Sequence, residues 1–111
     1  MSNVVFISED PGGIHYTLNR NGVILDIDEN IVRLSGFKKE EIVGQNFRTF
    51  VNFLDQPALF VNFQNILNGM TISPCDFRIV TKDGEILVRT TAFATKNADL
   101  ISGIEGTFAK I

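Results

Sequence analysis

Residues 22–47 read GVILDIDENIVRLSGFKKEEIVGQNF, and this stretch decides the fold. After the opening glycine, Val23, Leu25 and Ile27 alternate with their neighbours and fall on one face of a predicted strand. Asp28 follows the strand, and aspartate is a residue type that caps helices by accepting a hydrogen bond from a free backbone N–H. The pattern therefore predicts a strand that leads directly into a helix.

Two short helices are predicted in the rest of the stretch. Ile31 and Leu34 are three residues apart, which gives one buried stripe on a helix of about two turns. Gly36 ends that helix, because glycine adopts the left-handed cap conformation at no steric cost. After an aromatic residue, a second helix over residues 39–43 ends in the same way at Gly44.

This order of parts resembles the first half of a PAS domain, a sensor and interaction module of signalling proteins. One position departs from the family pattern, since Lys38 stands where a Ser or Thr often caps the second helix. Later landmarks match as well, so the resemblance covers residues 14–111, with residues 1–13 as an N-terminal extension or linker. The landmarks in register are Gly22, Ile24, Asp28, Leu34, Gly36, Phe37, Glu40, Glu41, Ile42 and Gly44, followed by Gly69-Met70, Lys82-Asp83-Gly84 and the pair Gly103 and Gly106.

The remaining sequence supplies further strands and one long helix. Asp55-Gln56-Pro57 is a helix start, with proline in the first turn where its missing N–H has no consequence, and apolar spacing continues the helix to about residue 68. Residues 45–54 also have helical spacing. Glycines near the chain end mark close backbone approach or bulges in a strand, and places where the strand bends easily. The predicted strands cover residues 14–19, 23–27, 76–81, 85–95 and 100–111.

The element order predicts the fold class. There is no strand–helix–strand repeat, which favours an α+β domain with an antiparallel sheet. The PAS resemblance adds a five-stranded sheet of order 2-1-5-4-3 with the helices packed on one face.

The composition excludes several classes of protein. At 111 residues the chain is one domain, with 44% hydrophobic and 21% charged residues, an ordinary globular composition. Its net charge of −3 argues against a nucleic-acid-binding protein, which would need a basic surface. No apolar run reaches the length of a membrane span, and no secretory signal is visible. The single cysteine, Cys75, fits a reducing compartment, which we take as the cytoplasm.

The sequence offers little for a cofactor, a metal or catalysis. His15 is the only histidine and the long helix has none, which disfavours haem. Residues 44–48 resemble the signature of flavin-binding PAS domains, but Phe47 replaces the photoactive cysteine and the chain has no tryptophan, which disfavours flavin. No basic residue stands beside Cys75 to activate its thiol. The acidic run 26–30 lacks the glycine and glutamate of a calcium loop. We therefore predict no cofactor, no metal site and no catalytic residue.

Phenylalanines are the most distinctive residues. Ten occur in the chain, and seven of them lie in the segments that wrap the central pocket of a PAS domain. Two interpretations are open: a packed core, or an apolar pocket for a small molecule lined by some of these rings. Leaving out Phe53, the candidate lining residues are Phe47, Phe50, Phe60, Phe63, Phe77 and Phe93.

The resemblance implies a sensor domain of a larger signal-transduction protein, with a histidine kinase as the first expectation and the effector domain in the same full-length chain. The domain would sense a small apolar ligand or relay a signal through dimerisation, and would not be an enzyme by itself. The alternative is a ligand-free interaction module of a diguanylate cyclase, a phosphodiesterase or a transcription regulator. We expect a homodimer built from residues 4–7 and the outer face of the sheet.

Overall fold

A computed structural model describes residues 13–111, which form one sheet with helices packed on one of its faces. The five strands lie in the order β2-β1-β5-β4-β3, and every neighbouring pair is antiparallel, as predicted. The strands are β1 (Ile14–Asn19), β2 (Ile24–Ile27), β3 (Cys75–Thr81), β4 (Gly84–Asn97) and β5 (Leu100–Lys110). The helices are α1 (Ile31–Ser35), α2 (Lys39–Ile42) and α3 (Gln56–Leu67), with 3-10 turns at Phe47–Phe50 and Phe53–Asp55.

The core lies between the sheet and α3. Alternating residues of β1 turn Ile14, Tyr16 and Leu18 toward the helices, as their spacing predicted. On α3, Leu59, Phe63, Ile66 and Leu67 form the buried stripe, and they lie on the side opposite to its exposed residues. The long helix and the first strand thus place apolar side chains on the two sides of one core.

The prediction that Val23, Leu25 and Ile27 fall on one face of the strand is wrong. Leu25 is 54% exposed, whereas Ile24 and Ile27 are buried. The reason is a bulge: Thr17 of β1 pairs with Asp26 but Leu18 pairs with Ile24, so Leu25 is the extra residue. A bulge shifts the alternation by one position, which brings two residues three apart onto the same face.

The start of α1 also differs from the prediction. The residue before α1 is Asn30, whose side chain makes no capping hydrogen bond. Asp28 instead accepts a hydrogen bond from the Asn30 backbone N–H at 2.9 Å, so it stabilises the turn that precedes the helix. Gly36 ends α1 in the left-handed conformation, as predicted. At α2, the Glu41 carboxylate accepts the Lys38 backbone N–H at 2.8 Å, which compensates for the missing Ser or Thr.

Residues 45–54 form two 3-10 turns rather than a regular helix. Asn46 and Asn52 precede these turns, and each side chain accepts a backbone N–H two residues ahead, from Arg48 and Leu54. Such local bonds compete with a continuous helix, so the apolar spacing alone was misleading.

The predicted N-terminal extension, including residues 4–7, lies outside the described residues except for Gly13. The domain boundary and the role of residues 4–7 in a dimer therefore stay predictions. No helix within residues 13–111 is both long and apolar enough to span a membrane.

Candidate ligand cavity

An apolar cavity lies in the core between the sheet and the helices. Its volume is about 70 Å³. Its wall is formed by side chains of β1, β2, β3, β5 and all three helices, with Phe47, Phe50 and Val51 from the segment before α3. Tyr16 and Ser35 are the polar residues of this wall. The cavity is therefore a space that apolar groups would occupy favourably.

Four of the six predicted pocket residues line the cavity: Phe47, Phe50, Phe63 and Phe77. Phe60 and Phe93 do not line it, and their assignment was wrong. Phe60 is 49% exposed because it lies at the outer edge of the buried stripe of α3. Phe93 is 58% exposed because it lies at an odd-numbered position of β4, and the side chains at these positions face away from the helices. Val88 and Thr90, at even-numbered positions, face inward.

The wall also contains strand and helix residues that were not predicted from the sequence. The alternation in β1 already marked Tyr16 and Leu18 as inward residues, so it carried enough signal to name them. Phe108 was missed because its strand has glycines at two positions and gives no clear alternation. The other missed residues include Ile24, Ile27, Ile31, Phe37, Ile42, Leu59 and Ile79.

The aromatic rings around the cavity pack edge to face. The ring centroids of Phe47 and Phe63 are 5.0 Å apart at an interplanar angle of 67°. Phe37 and Phe50 repeat this geometry at 5.4 Å and 65°. Such pairs contribute about 0.5–1.5 kcal/mol beyond their buried area. The wall is thus held by ring contacts that connect the helical segment to the core.

The two ends of residues 22–47 meet at this wall. The Phe47 backbone N–H donates to the Gly22 carbonyl oxygen at 2.9 Å. A Cβ atom at Gly22 would lie 2.8 Å from Cε1 of Phe47, and the φ angle of Gly22 is +83°. The Asn46 side chain donates to the Asn21 carbonyl oxygen at 2.9 Å. The turn glycine is therefore required for the position of the Phe47 ring as well as for the hairpin.

A second, surface groove lies on the other side of Phe47 and Phe63, which line both spaces. It is larger, at about 210 Å³, and Arg20, Arg48 and Gln64 contribute to its lining. Leu18 also lines both spaces, so the two rings and Leu18 together form the partition between the apolar cavity and this groove.

Both polar residues of the cavity have hydrogen-bond partners. The Ser35 hydroxyl donates to the Ile31 carbonyl oxygen at 2.7 Å. The oxygens of Tyr16 and Thr90 are 2.7 Å apart, and Thr90 in turn donates to the Thr107 carbonyl oxygen at 3.1 Å. Because the single hydroxyl hydrogen of Thr90 is engaged there, the Tyr16 hydroxyl is the donor to Thr90. Burial raises the pKa of Tyr16 above its ordinary value, so the phenol stays a donor at neutral pH.

Replacing Thr90 with valine should destabilise the fold more than its small change in shape suggests. Thr90 is fully buried, and its loss leaves the Tyr16 hydroxyl without an acceptor. We expect a loss of about 1–3 kcal/mol in the free energy of unfolding, measured by urea denaturation. The matched control is Thr91→Val, on the exposed face of the same strand, for which we expect less than about 0.5 kcal/mol. Equal losses for the two variants would contradict the role of this hydrogen bond.

The remaining candidates for chemistry lie away from the cavity. His15 is exposed on the outer face of β1, with Nε2 3.6 Å from the Glu105 carboxylate. Cys75 is a free, partly buried thiol, and burial raises its pKa, which lowers the reactive thiolate fraction. Within residues 13–111, no group of three or more His, Cys, Asp or Glu side chains is placed to hold a metal ion.

Residues 24–104, well over half of the chain, match the family model described as the PAS fold. The chain belongs to the PAS family. As a PAS domain it is by itself a sensor and interaction module and not a catalytic unit, as predicted.

Solved PAS structures share its architecture. The PAS domain of a Colwellia psychrerythraea protein matches with a TM-score of 0.80 at 17% identity, over 95% of this chain and 92% of that chain. The PAS-B domain of Drosophila melanogaster Cycle, with bound ethylene glycol, gives 0.76 at 21% identity, over 88% and 99%. The N-terminal domain of a Marinobacter aquaeolei diguanylate cyclase with a PAS/PAC sensor gives 0.74 at 16% identity, over 88% and 94%. At these identities the likeness concerns the fold alone.

Proposed function

We propose that this PAS domain is the sensor module of a larger signal-transduction protein, and that its cavity takes a small, uncharged, apolar ligand. The supporting observation is the cavity itself, since apolar side chains form its wall and Tyr16 and Ser35 are already hydrogen-bonded. A charged ligand would lose its hydration there without gaining a partner, which is strongly unfavourable.

The size of the cavity limits the ligand. With a volume of about 70 Å³, the cavity suits only a small ligand. A larger ligand requires the aromatic wall to move. The Phe47–Phe63 partition is the natural place for that movement, because a groove of about 210 Å³ lies directly behind it.

The output domain is proposed from the family alone. We keep a histidine kinase as the first proposal, with a diguanylate cyclase, a phosphodiesterase or a transcription regulator as the alternative. The Marinobacter aquaeolei neighbour is an example of a diguanylate cyclase that carries this fold. We also keep the cytoplasm as the proposed location, for which the single free cysteine is the support.

A ligand-free interaction module is the second candidate function. The rings pack edge to face, and the cavity is small compared with its wall, as in a core that is simply packed. In that case the domain would act through its surfaces alone, and a homodimer would be its functional state.

Mass spectrometry distinguishes these two functions. We expect the purified 111-residue protein to carry, under native conditions, an added mass of a small molecule that is lost on denaturation. We also expect no visible absorption band, because Phe47 occupies the position of the flavin-reactive thiol and no histidine lines the cavity.

The same sample contains its own control, since the denatured protein must return the mass of the bare chain. Native protein at the bare mass would favour the interaction module. A visible band that survives dialysis would overturn the proposal that haem and flavin are absent.

A further inference from the structure

The surface groove behind the partition is positively charged. Among the described residues, Arg20 and Arg48 line it and no acidic side chain does. Arg20 directly follows β1, and Arg48 lies in the 3-10 turn after α2. Within residues 13–111, neither arginine forms an ion pair with a carboxylate. The groove is therefore locally basic on a chain whose net charge is −3, and such a local charge can attract an anion.

Each of the two guanidinium groups is held in place by one of its N–H groups. The Nη1 atom of Arg20 donates to the Ile101 carbonyl oxygen at 2.8 Å. The Nε atom of Arg48 donates to the Asn46 side-chain oxygen at 3.2 Å, and the same oxygen accepts the Arg48 backbone N–H at 3.1 Å. A guanidinium has five N–H donors, so each arginine keeps further donors for a ligand. The two groups are thus oriented without being saturated.

The rest of the groove includes an apolar surface. Phe60 is 49% exposed, and Leu67 and Ile104 line the same groove. Behind them, the rings of Phe47 and Phe63 pack against each other at 5.0 Å. An exposed ring is stabilised when an apolar group covers it and displaces water. The groove therefore combines a place for an anionic group with a place for an apolar one.

We propose that this groove binds a small carboxylic acid with an apolar body, at a site separate from the cavity. A carboxylate accepts two parallel N–H bonds from a guanidinium, which fixes its direction as well as its distance. The exposed side-chain amide of Gln64 lines the groove and provides one more donor. The ionised acid is excluded from the apolar cavity, because it would lose its hydration there without gaining a partner.

Two other kinds of occupant suit the groove less well. Inorganic phosphate would use the arginines, but it would leave the exposed part of the Phe60 ring in contact with water. An uncharged apolar molecule would cover that ring, but it would separate the guanidinium groups from water without supplying an acceptor, which is unfavourable. The volume of about 210 Å³ gives room for a molecule that has both parts.

The test is NMR spectroscopy of the ¹⁵N-labelled 111-residue chain, with phenylacetate as the probe. Phenylacetate should shift the Nε–H signals of Arg20 and Arg48 and the backbone signal of Phe60, and leave that of Ile79 in the cavity wall unchanged. Since both arginines are exposed, we expect a Kd on the order of 1 mM. Binding should weaken as salt is added, because salt screens exposed charges. Phenylacetamide, the uncharged counterpart, should bind at least about fivefold more weakly.

Variants separate the charged part of the site from the apolar part. Arg48→Gln and, separately, Arg20→Gln should each weaken phenylacetate binding about fivefold, the upper end for one exposed ion pair. The matched control is Arg33→Gln, which removes the same charge from α1 outside the groove and should leave the Kd unchanged. Inorganic phosphate should bind at least about fivefold more weakly than phenylacetate, and Phe60→Ala should reduce this difference. Circular dichroism should show that all four variants are folded.

Four results would contradict this site. The first is no shift at the groove residues up to about 20 mM phenylacetate, well above the expected Kd. The second is equal binding of phenylacetamide, and the third is an Arg33→Gln protein weakened as much as Arg48→Gln. The fourth is phosphate that binds as tightly as phenylacetate, which would make the groove a plain anion site. None of these results alters the mass measurement of the cavity ligand, so the proposed sensor function is tested separately.

Discussion

Gly106→Ala is expected to destabilise the domain by about 3 kcal/mol, near the upper end of the usual cost of an added methyl group in a close-packed structure. A Cβ atom at Gly106 would lie 2.5 Å from the Thr91 carbonyl oxygen and 2.7 Å from the Tyr16 hydroxyl. Both neighbours are fixed, since Thr91 belongs to the adjacent strand and Tyr16 is hydrogen-bonded to Thr90. Urea denaturation, or loss of soluble expression, would report this change, because domains are usually stable by only 5–15 kcal/mol.

Two further variants make this result specific. Ala109→Val adds bulk to the outer face of the same strand, and we expect less than about 1 kcal/mol. Tyr16→Phe combined with Gly106→Ala should not restore stability, because the Thr91 carbonyl remains in the way. A folded Gly106→Ala protein of wild-type stability would show that β4 and β5 are less closely apposed than described.

The same geometry corrects one interpretation from the sequence. Gly103 and Gly106 were interpreted as marks of close backbone approach, which is right, and also as points where the last strand bends easily. A Cβ atom at Gly103 would overlap the Leu18 carbonyl oxygen, so β1 and β4 enclose these positions from both sides. Larger residues there would test folding and not the route by which a signal leaves the domain.

The sequence predicted those features that arise from local chemistry. The proline after Gln56 and the regular apolar spacing placed the start of α3 correctly, and the alternation in β1 gave its bounds and its inward face. The turns at Gly22, Gly36 and Gly84 could also be predicted, because these glycines adopt a positive φ that other residues avoid.

What the sequence left open depends on how elements pair. Leu25 is exposed because of a bulge, and a bulge is a relation between two strands that neither strand shows alone. Phe60 and Phe93 were assigned to the pocket because the rings were grouped by segment and not by face. For Phe93, the sequence does not show which of the two alternating sets of β4 side chains faces the helices, since either set was plausible. The cavity wall combines residues of β1, β2, β3 and β5, and only the packed structure brings these together.

Phe63→Ala is expected to destabilise the fold by about 3–5 kcal/mol and to release any ligand. The Phe63 ring is buried, lines the cavity and forms the partition with Phe47. Its removal joins the apolar cavity to the surface groove that contains Arg20 and Arg48, so water gains access to the ligand site. Stability is measured by urea denaturation, and ligand retention by native mass spectrometry on the folded fraction.

Phe93→Ala is the matched control for Phe63→Ala, because it removes the same ring from a position that is 58% exposed and lies on the outer face of the sheet. We expect a change of less than about 1 kcal/mol and full ligand retention. If Phe63→Ala lowers stability while the bound mass stays the same, the ring is only a packing residue, and the interaction module becomes the better function. If both variants lose the ligand equally, the ligand is not in this cavity. Loss of stability and of ligand in Phe63→Ala alone is the result that a sensor with an internal apolar site requires, since there the same ring holds the core together and separates the ligand from water.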